Sequence, residues 1–373
     1  MENELKSLVA ISRYFGKYPE YVIAGGGNTS YKNESHLWIK ASGTSLATIT
    51  EEGFAKMDRN CLRKIADQKY SRDPLKREAE IINELFNCVA DKSGLRPSVE
   101  TSLHNLLNFS YVVHTHPTLV NALMCSKNSG IVTPAIFGEE ALLVEYSDPG
   151  YILFKLVEKK IGEFVQKNGK EPQIIFLENH GVFVSANTTP EIMNIYAEIT
   201  KRISEKIVTP IPSPELNKQK HHFLKVINKV NKTHVARFFQ SPLIEEFTTN
   251  KESFSQVDTA FSPDNIVYCK AHYLFIQADP DILLRETMSF EKKFGYYPKV
   301  IAIEKSGIIC IEENEKALQT VYEVFLDMLK ISFYTRNFGG PRFLTPRQIQ
   351  FIDTWEVENY RRKVFKTTDD VKR

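Results

Sequence analysis

Short apolar runs alternate with longer amphipathic segments along this chain, and this alternation constrains the fold more than any single motif. Helical spacing of apolar residues predicts helices over residues 1–16, 75–90 and 150–168. The stretch IIFLENHGVFVSA at 174–186 predicts a β-hairpin with its turn near Glu178–Gly181. Because strands and helices alternate throughout, the sequence predicts an α/β fold.

Other segments of the first half carry weaker signals. The run YVIA, just before three glycines, is interpreted as a short strand, and HLWIKASGT (36–44) as another. TEEGFAKMDRN is interpreted as the start of a capped helix. A helix is expected around 117–127, and short strands near 131–146.

The composition predicts a soluble protein with no general affinity for nucleic acids or membranes. The formal net charge is +2, and no apolar run approaches the ~20 residues of a membrane span. The N-terminal segment lacks the uninterrupted apolar core of a secretion signal. The five cysteines are widely spaced without a CxxC motif, so neither a disulfide framework nor a zinc ribbon is predicted. We therefore expect a cytoplasmic protein with reduced cysteines.

The stretch FSYVVHTHPTL at 109–119 places two histidines at the end of an apolar strand. Side chains two residues apart on a strand share a face, so His114 and His116 can converge on one metal ion. Catalytic zinc commonly takes three protein ligands, and His180 at the hairpin turn is the candidate third. Glu100, on a predicted helix before the strand, is placed to ligate the metal or to act as an acid/base. Structural histidine pairs are about as common on strands, so the pair alone does not establish a metal site.

Two loops of small residues suggest an anion site. GGGNTS (25–30) and ASGTS (41–45) each follow a predicted strand, where backbone N–H groups can approach an anion closely. Neither loop is a GxGxxG turn in a βαβ unit or a Walker motif, which argues against a nucleotide. An ordinary tight turn is the competing interpretation of each loop. Together with a metal site, the loops favour a phosphorylated small molecule.

A local change in amino-acid composition divides the chain into two parts. The stretch TPIPSPELNKQK at 209–220 is rich in proline and polar residues, which is typical of a linker. It separates a predicted metal- and phosphate-binding domain at 1–208 from a C-terminal extension at 221–373.

A weak internal echo spans that linker. GKEPQIIFLENHGVFV (169–184) resembles GYYPKVIAIEKSGIICI (295–311) at an offset of 126 residues. Chance similarity between two strand–turn–strand units is the alternative. Ser306 stands where the first copy has His180, so the second copy would keep the scaffold and lose the histidine.

Taken in order, these motifs resemble those of the class II aldolase/adducin family. The motifs are GGGNTS, ASGTS, RPSVE, HTHP and the ENHG hairpin. The chain is similar in particular to the aldolase half of bifunctional rhamnulose-1-phosphate aldolase/alcohol dehydrogenases, and this similarity continues through FGGPRFLT and WEVENYRR. No dinucleotide fingerprint is present up to Arg373, so NAD chemistry is not expected. The resemblance implies a central β-sheet flanked by helices, with a C-terminal α/β extension that the echo marks as a degenerate repeat.

The resemblance also implies roles for individual residues. His114, His116 and His180 would bind Zn²⁺, and Glu100 would be the catalytic acid/base. The substrate phosphate would lie against Gly27, Asn28, Thr29, Ser42, Gly43 and Ser98. Members of the family are commonly tetramers, so a homo-oligomer is expected by resemblance.

The implied activity is zinc-dependent cleavage of a ketose 1-phosphate, of the rhamnulose or fuculose type, to dihydroxyacetone phosphate and an aldehyde. Two departures bear on the substrate: Val99 stands where relatives often have a serine, and Gly138 where they have a tyrosine. Tyr146, Glu139 and Glu140 are the alternatives for that tyrosine, and none is assigned its role. A sugar-phosphate epimerase or dehydratase, and a non-catalytic adducin-like interaction module, are the competing functions.

Overall fold

A computed structural model describes residues 2–91, 93–216, 223–224, 227 and 234–355. Contacts between residues group the chain into two compact units. Unit 1 comprises Met1–Met124 and Asn128–Lys206 together with Trp355, and unit 2 comprises Cys125–Lys127 and Ile207–Thr354. None of the described helices combines the length and apolar character that crossing a bilayer requires.

Unit 1 contains a seven-stranded mixed sheet with eight helices around it in the described residues. The strands are β1 Asn28–Lys32, β2 His36–Lys40, β3 Phe54–Asp58, β4 Tyr111–Thr115, β5 Ala141–Val144, β6 Ile174–Leu177 and β7 Gly181–Ala186. The helices are α1 Glu2–Lys17, α2 Arg59–Asp67, α3 Pro74–Asn87, α4 Thr101–Leu106, α5 Thr118–Met124, α6 Ser129–Phe137, α7 Tyr151–Asn168 and α8 Thr189–Ser204.

The strand order of this sheet is β3-β2-β1-β4-β7-β6-β5. All neighbouring strands are antiparallel except β5 and β6, which are parallel. β4 is the central strand, and its apolar residues Val112 and Val113 are fully buried. Side chains from α4 and α7 pack on one part of the sheet, and those from α2 and α3 on another. The predicted α/β fold with a central sheet between helices is confirmed.

Local signals explain where the longer helices begin and end. Asp73 caps α3 by accepting a hydrogen bond from the Lys76 N–H, and Pro74 occupies the first turn, where its missing N–H costs nothing. Thr188 and Glu191 form a reciprocal capping box at the start of α8. α7 ends at Gly169, whose φ of 69° is the left-handed conformation that glycine adopts readily.

Three assignments in unit 1 were wrong. The YVIA run is not a strand, and the glycines precede β1 instead of following a strand. The predicted capped helix begins later, because residues 54–58 pair with β2 as strand β3 and Asp58 then caps α2. Residues 129–137 form helix α6 although Ile, Val and Thr favour strands, since a short apolar run does not specify its own period.

Unit 2 contains a four-stranded sheet in the order β8-β11-β10-β9. Its strands are β8 Val235–Phe239, β9 Leu274–Ile276, β10 Val300–Ile303 and β11 Gly307–Glu312. Its helices are α9 Pro242–Thr248, α10 Lys251–Phe254, α11 Pro280–Phe294, α12 Glu315–Thr335 and α13 Pro346–Thr354, with a π-helical turn at Asn265–Cys269.

The sheet of unit 2 repeats half of the sheet of unit 1. The order β8-β11-β10-β9 matches β4-β7-β6-β5, and in both sheets only the last pair is parallel. β10 begins at Val300, 126 residues after Ile174 of β6, and β8 begins at Val235, 124 residues after Tyr111 of β4. The echo seen in the sequence is therefore a repeat of strand topology and spacing.

Details of the two hairpin turns repeat as well. Asn179 and Lys305 both have positive φ, at 55° and 54°. The Asn179 N–H donates to the Met124 carbonyl at the end of α5, and the Lys305 N–H donates to the Thr248 carbonyl at the end of α9. A backbone position that L-residues rarely adopt is thus kept in both copies, which is evidence of a shared scaffold rather than chance similarity.

The expectation of five reduced cysteines was wrong. Cys61 in α2 and Cys88 at the end of α3 form a disulfide, while Cys125, Cys269 and Cys310 are free and buried. The cysteines are 27 residues apart in the chain, and only the packing of α2 beside α3 brings them together. Of the predicted linker, residues 209–216 contain neither helix nor strand, and 217–220 lie outside the described residues.

Candidate metal and substrate site

The end of β4 brings two imidazoles together. His114 is the fourth residue of β4 and is fully buried, and His116 follows two residues later on the same face. Their Nε2 atoms lie 3.0 Å apart. The His114 ring stacks on Phe183 with centroids 4.1 Å apart, and its Nδ1 lies 3.0 Å from the Val182 carbonyl oxygen. A proton on Nδ1 satisfies that carbonyl and leaves the Nε2 lone pair directed at His116.

The β6–β7 hairpin supplies the third imidazole. The ring centroid of His180 lies 5.0 Å from that of His114 and 5.1 Å from that of His116. One ligand atom from each ring can be chosen so that all three atoms lie within 4.8 Å of one another. At Gly181, a Cβ would lie 2.5 Å from the Thr115 carbonyl oxygen and 2.8 Å from the His116 ring. Glycine therefore permits the close approach of the hairpin to β4.

Glu100 completes the cluster. Its Oε1 lies 3.3 Å from His114 Nε2 and 3.5 Å from His180 Nε2. Glu100 stands just before α4 rather than on it, and its own N–H donates to Ser98 Oγ at 3.2 Å. Three imidazoles and one carboxylate form a donor set that suits a four-coordinate divalent metal such as zinc.

The pKa shifts of Glu100 and His114 favour the protonation states that bind a metal. Burial alone would raise the pKa of Glu100, but His114, His180 and the Asn28 amide outweigh it and lower the pKa to about 2. Burial lowers the pKa of His114 well below its usual value, and Glu100 offsets this only in part. At neutral pH the carboxylate is ionised and the His114 imidazole is neutral, which are the forms that bind a metal.

The first small-residue loop lies beside the cluster. β1 pairs with β4 so that Asn28 is opposite His114, and a Cβ on Gly27 would lie 2.8 Å from the His114 carbonyl oxygen. The Asn28 amide donates to Glu100 Oε2 at 2.5 Å and to Ser98 Oγ at 3.3 Å. Its side chain is therefore engaged with the acid/base candidate rather than directed outward as a phosphate ligand.

Thr29 points away from the predicted phosphate site. Its Oγ1 lies 2.6 Å from Ser12 Oγ in α1, and the residue is fully buried. Because the loop ends at Gly27 and β1 begins at Asn28, strand alternation turns Thr29 to the opposite face. Thr29 could contribute only through its backbone.

The second loop is held near Ser98 by backbone hydrogen bonds. The Ser42 N–H donates to the Arg96 carbonyl at 2.8 Å, and the Ser42 hydroxyl donates to the Pro97 carbonyl at 3.1 Å. Gly43 follows with a φ of 88°. The structure thus connects Ser42 to Ser98 through the segment 96–98. Ser98 is connected to Asn28 by the hydrogen bond that the Asn28 side-chain amide donates to it.

None of the three alternatives for the tyrosine that Gly138 replaces contacts the cluster through the bonds described. Glu139 forms an ion pair with Lys167 at 3.1 Å, and Glu140 forms one with Arg202 at 3.1 Å, both on the surface. The Tyr146 hydroxyl lies 3.5 Å from Asp148 Oδ1. None of these contacts connects the three candidates to the histidine cluster.

The sequence interpretation missed His104. This residue lies one helical turn after Glu100, is fully buried, and hydrogen-bonds to the Asn28 side chain. Burial lowers its pKa to about 3. The signal that could have revealed it is its spacing of four residues from Glu100, which places both side chains on one face of a helix.

Comparison with known proteins shows which proteins this chain is similar to. A curated protein from Bacillus subtilis named "Uncharacterized oxidoreductase YuxG" is 25% identical over 285 residues, which are 69% of this chain and 40% of that protein. The L-fuculose phosphate aldolase of Methanocaldococcus jannaschii is 23% identical over 196 residues, which are 48% of this chain and 87% of that enzyme. This chain thus spans less than half the length of the first relative and most of the second.

One solved structure is the N-terminal class II aldolase domain of a conserved protein from Thermoplasma acidophilum. It is 26% identical, covers 54% of this chain and 92% of its own, and superposes with a TM-score of 0.46. The sequence model of the family described as Class II Aldolase and Adducin N-terminal domain matches residues 6–204, more than half of the 373 residues. The chain therefore belongs to the class II aldolase and adducin family.

Proposed function

We propose that this protein is a zinc-dependent class II aldolase that cleaves a ketose 1-phosphate to dihydroxyacetone phosphate and an aldehyde. The observation that carries the proposal is the convergence of three imidazoles and an ionised carboxylate at one point beside two loops of small residues. An adducin-like interaction module has no need of such a cluster.

The proposed metal ligands are His114, His116 and His180. When bound there, zinc would act as a Lewis acid that stabilises the negative charge developing on the substrate as the C3–C4 bond breaks. An imidazole is uncharged when it binds a metal, so three such ligands would leave the positive charge of the ion largely uncompensated, which favours that role.

Glu100 is proposed to move the proton at C3 of the substrate. In the synthetic direction the ionised carboxylate removes a proton from C3 of dihydroxyacetone phosphate and becomes protonated. Cleavage is the reverse step, so it starts with Glu100 carrying that proton and ends with the carboxylate ionised. Because its pKa is lowered to about 2, the carboxylate is in its basic form at neutral pH. The proton of the C4 hydroxyl requires a second acceptor, which is not assigned.

The phosphate is proposed to bind against Gly27, Gly43 and Ser98, with Asn28 and Thr29 contributing backbone groups at most. Ser42, whose N–H and hydroxyl donate to the Arg96 and Pro97 carbonyls, is proposed to hold the second loop in place. The Ser98 hydroxyl accepts the bonds from Asn28 and Glu100, so its own proton is available to donate. We further propose that the protein assembles as a homo-oligomer.

The test combines metal content with product analysis. Purified wild-type protein should contain zinc by elemental analysis and release dihydroxyacetone phosphate from at least one member of a panel of ketose 1-phosphates that includes the rhamnulose and fuculose compounds. His114→Ala should lose both zinc and activity. His36→Ala, on β2 and outside the cluster, is the matched control and should retain both.

Each alternative function predicts a different result. An epimerase would convert the ketose phosphate to an isomer of the same mass, and a dehydratase would give a product lighter by one water. If zinc-loaded protein gives either product and no dihydroxyacetone phosphate, the protein is an epimerase or a dehydratase and the aldolase assignment is wrong. Wild-type protein that binds no zinc would instead support the interaction module.

A further inference from the structure

We propose that His104 is a positioning residue that fixes the side-chain amide of Asn28, which in turn holds the Glu100 carboxylate beside the histidine cluster. This inference deepens the proposed function, because it concerns how the acid/base is oriented.

The proposal begins with one buried imidazole that bridges two residues of β1. Asn28 and Ser30 lie two residues apart on that strand and therefore share a face. The Nε2 atom of His104 hydrogen-bonds to Asn28 Oδ1, and its Nδ1 lies 2.7 Å from Ser30 Oγ. The imidazole thus engages the oxygen end of the amide, while the nitrogen end faces Glu100 at 2.5 Å.

The directions of these hydrogen bonds follow from the orientation of the Asn28 amide. Its nitrogen donates to Glu100 Oε2 and also to Ser98 Oγ, so Asn28 Oδ1 faces His104 and must accept. His104 then has to carry its proton on Nε2, because only a donor can bond to Oδ1. The Nδ1 atom is left as an acceptor, and the Ser30 hydroxyl donates to it. The chain of donors therefore runs from Ser30 through His104 and Asn28 to Glu100.

Loss of the imidazole would release the amide. An asparagine amide is nearly symmetric in shape, and rotation by half a turn would present Oδ1 to the carboxylate. That orientation gives Glu100 no donor, so without His104 to fix Oδ1 the amide would hold the carboxylate beside the histidines less firmly. The His104 ring is further located by Phe183, whose ring centroid is 5.4 Å away and which also stacks on His114.

The competing interpretation is that His104 is a buried histidine that serves only to complete the core. Two substitutions distinguish this structural role from the positioning role. Glutamine in His104→Gln can donate to Asn28 and accept from Ser30, whereas phenylalanine in His104→Phe fills the space and can do neither. We expect His104→Phe to lower kcat by about 10- to 100-fold, the usual effect of removing an outer hydrogen-bond partner, with zinc content and KM unchanged. His104→Gln should restore kcat to within about threefold of wild type. Equal kcat values for the two folded variants would overturn the proposal.

Smaller substitutions keep the test valid if His104→Phe does not fold. Ser30→Ala removes only the hydroxyl that donates to His104, and it should lower kcat without a change in zinc content. Ser12→Ala is the matched control, since Ser12 is also a buried serine but hydrogen-bonds to Thr29 and the Leu8 carbonyl instead. An equal effect of the two serine variants on kcat would contradict the proposal.

A spectroscopic measurement makes the result independent of substrate. Nitrogen NMR of the full-length protein labelled with ¹⁵N-histidine should show His104, identified by its absence in His104→Gln, with the proton on Nε2 and with Nδ1 as an acceptor. A proton on Nδ1 would overturn the proposal. If the panel of ketose phosphates gives no product, the proposed function fails while this measurement still decides the state of His104.

Discussion

The Nε2 atoms of His114 and His116 lie 3.0 Å apart at the end of β4. Since His114 presents a lone pair there, a proton or a metal ion must lie between the two nitrogens to prevent repulsion. Glu100, at 3.3 Å from the same His114 atom, adds an anionic oxygen, and His180 adds a further imidazole. A divalent cation can be bound by all four side chains at once, whereas a proton can be shared by only one pair of them.

We expect one tightly bound zinc ion per chain, although the chain contains two copies of the hairpin scaffold. In unit 2, the positions that correspond to His114 and His116 are occupied by Phe238 in β8 and by Gln240, the first residue after β8. A phenyl ring has no lone pair to donate, and the histidine cluster is the only group of three possible ligands within the described residues. Elemental analysis of purified protein measures the ratio.

Two alanine variants test this stoichiometry. His116→Ala should reduce bound zinc to well below one ion per chain, because it removes a third of the imidazole ligands. Gln240→Ala changes the corresponding residue of unit 2 and should leave the ratio at one. Two zinc ions per wild-type chain would contradict the interpretation of unit 2 as a copy without a metal site.

Gly181→Ala should disturb the metal site without changing any ligand. The new methyl group would lie 2.5 Å from the Thr115 carbonyl oxygen and 2.8 Å from the His116 ring, so the hairpin that carries His180 must move. We expect a loss of about 1–3 kcal/mol in the free energy of unfolding from overpacking and a fall of about tenfold or more in zinc affinity from the displaced ligand. Urea unfolding and zinc titration measure the two effects.

Gly162→Ala is the matched control for that variant. Gly162 lies within α7, and a Cβ there would meet no atom within 4 Å. Alanine in a helix interior is favoured over glycine by about 1 kcal/mol, so this change should raise stability and leave zinc affinity unaltered. A Gly181→Ala protein with wild-type zinc affinity would show that the hairpin tolerates the methyl group.

The histidine cluster could be anticipated from the sequence because its signals are local. Strand alternation placed His114 and His116 on one face, and the glycine after His180 marked a tight turn. The role of Thr29 could not be anticipated, since it depends on where β1 begins and on what packs against it. For His104, the spacing from Glu100 indicates a shared helix face, but its contacts with Asn28 and Ser30 depend on the same start of β1. A register one residue different would have exchanged the faces of Asn28 and Thr29.

The errors in the fold share a cause. Residues 50–60 carry a capping-like signal for a helix, yet residues 54–58 form β3 because β2 is available to pair with them. Residues 129–137 are rich in β-branched side chains, yet they form α6. Tertiary context decides both cases, through the pairing of β3 with β2 and the packing of α6, and local propensity does not contain it. The hairpin at 174–186 was predictable because its partner strand is adjacent in sequence.

We expect the metal-free protein to lose stability as the pH falls below about 6.5, the ordinary pKa of histidine. Burial lowers the pKa of His104 to about 3 and that of His114 well below its usual value. The unfolded chain takes up a proton at each residue near pH 6.5 while the folded chain does not, so acid favours unfolding. Each histidine contributes about 1.4 kcal/mol per pH unit in that range.

Urea unfolding in the presence of a chelator, at about pH 7.5 and about pH 5.5, measures this dependence. His104→Gln removes one of the two groups and should reduce the slope by about 1.4 kcal/mol per pH unit. Glu100 acts in the same direction at lower pH. The unfolded carboxylate takes up a proton near the ordinary value of 4.5, while the folded one, with its pKa lowered to about 2, does not, so stability falls further below about pH 4.5. A slope that is the same in wild type and His104→Gln would show that His104 does not stay neutral in the folded protein.

The disulfide between Cys61 and Cys88 predicts three titratable thiols rather than five. Unfolded, unreduced protein should react with a thiol reagent at Cys125, Cys269 and Cys310 alone.

The crosslink closes a loop with a sequence separation of 27, which by chain entropy stabilises the folded state by about 3–4 kcal/mol. Reductant should therefore lower the urea midpoint of the wild-type protein. The double variant Cys61→Ser/Cys88→Ser is the control, and reductant should leave its midpoint unchanged. Five reactive thiols, or a wild-type midpoint insensitive to reductant, would show that α2 and α3 are joined by packing alone.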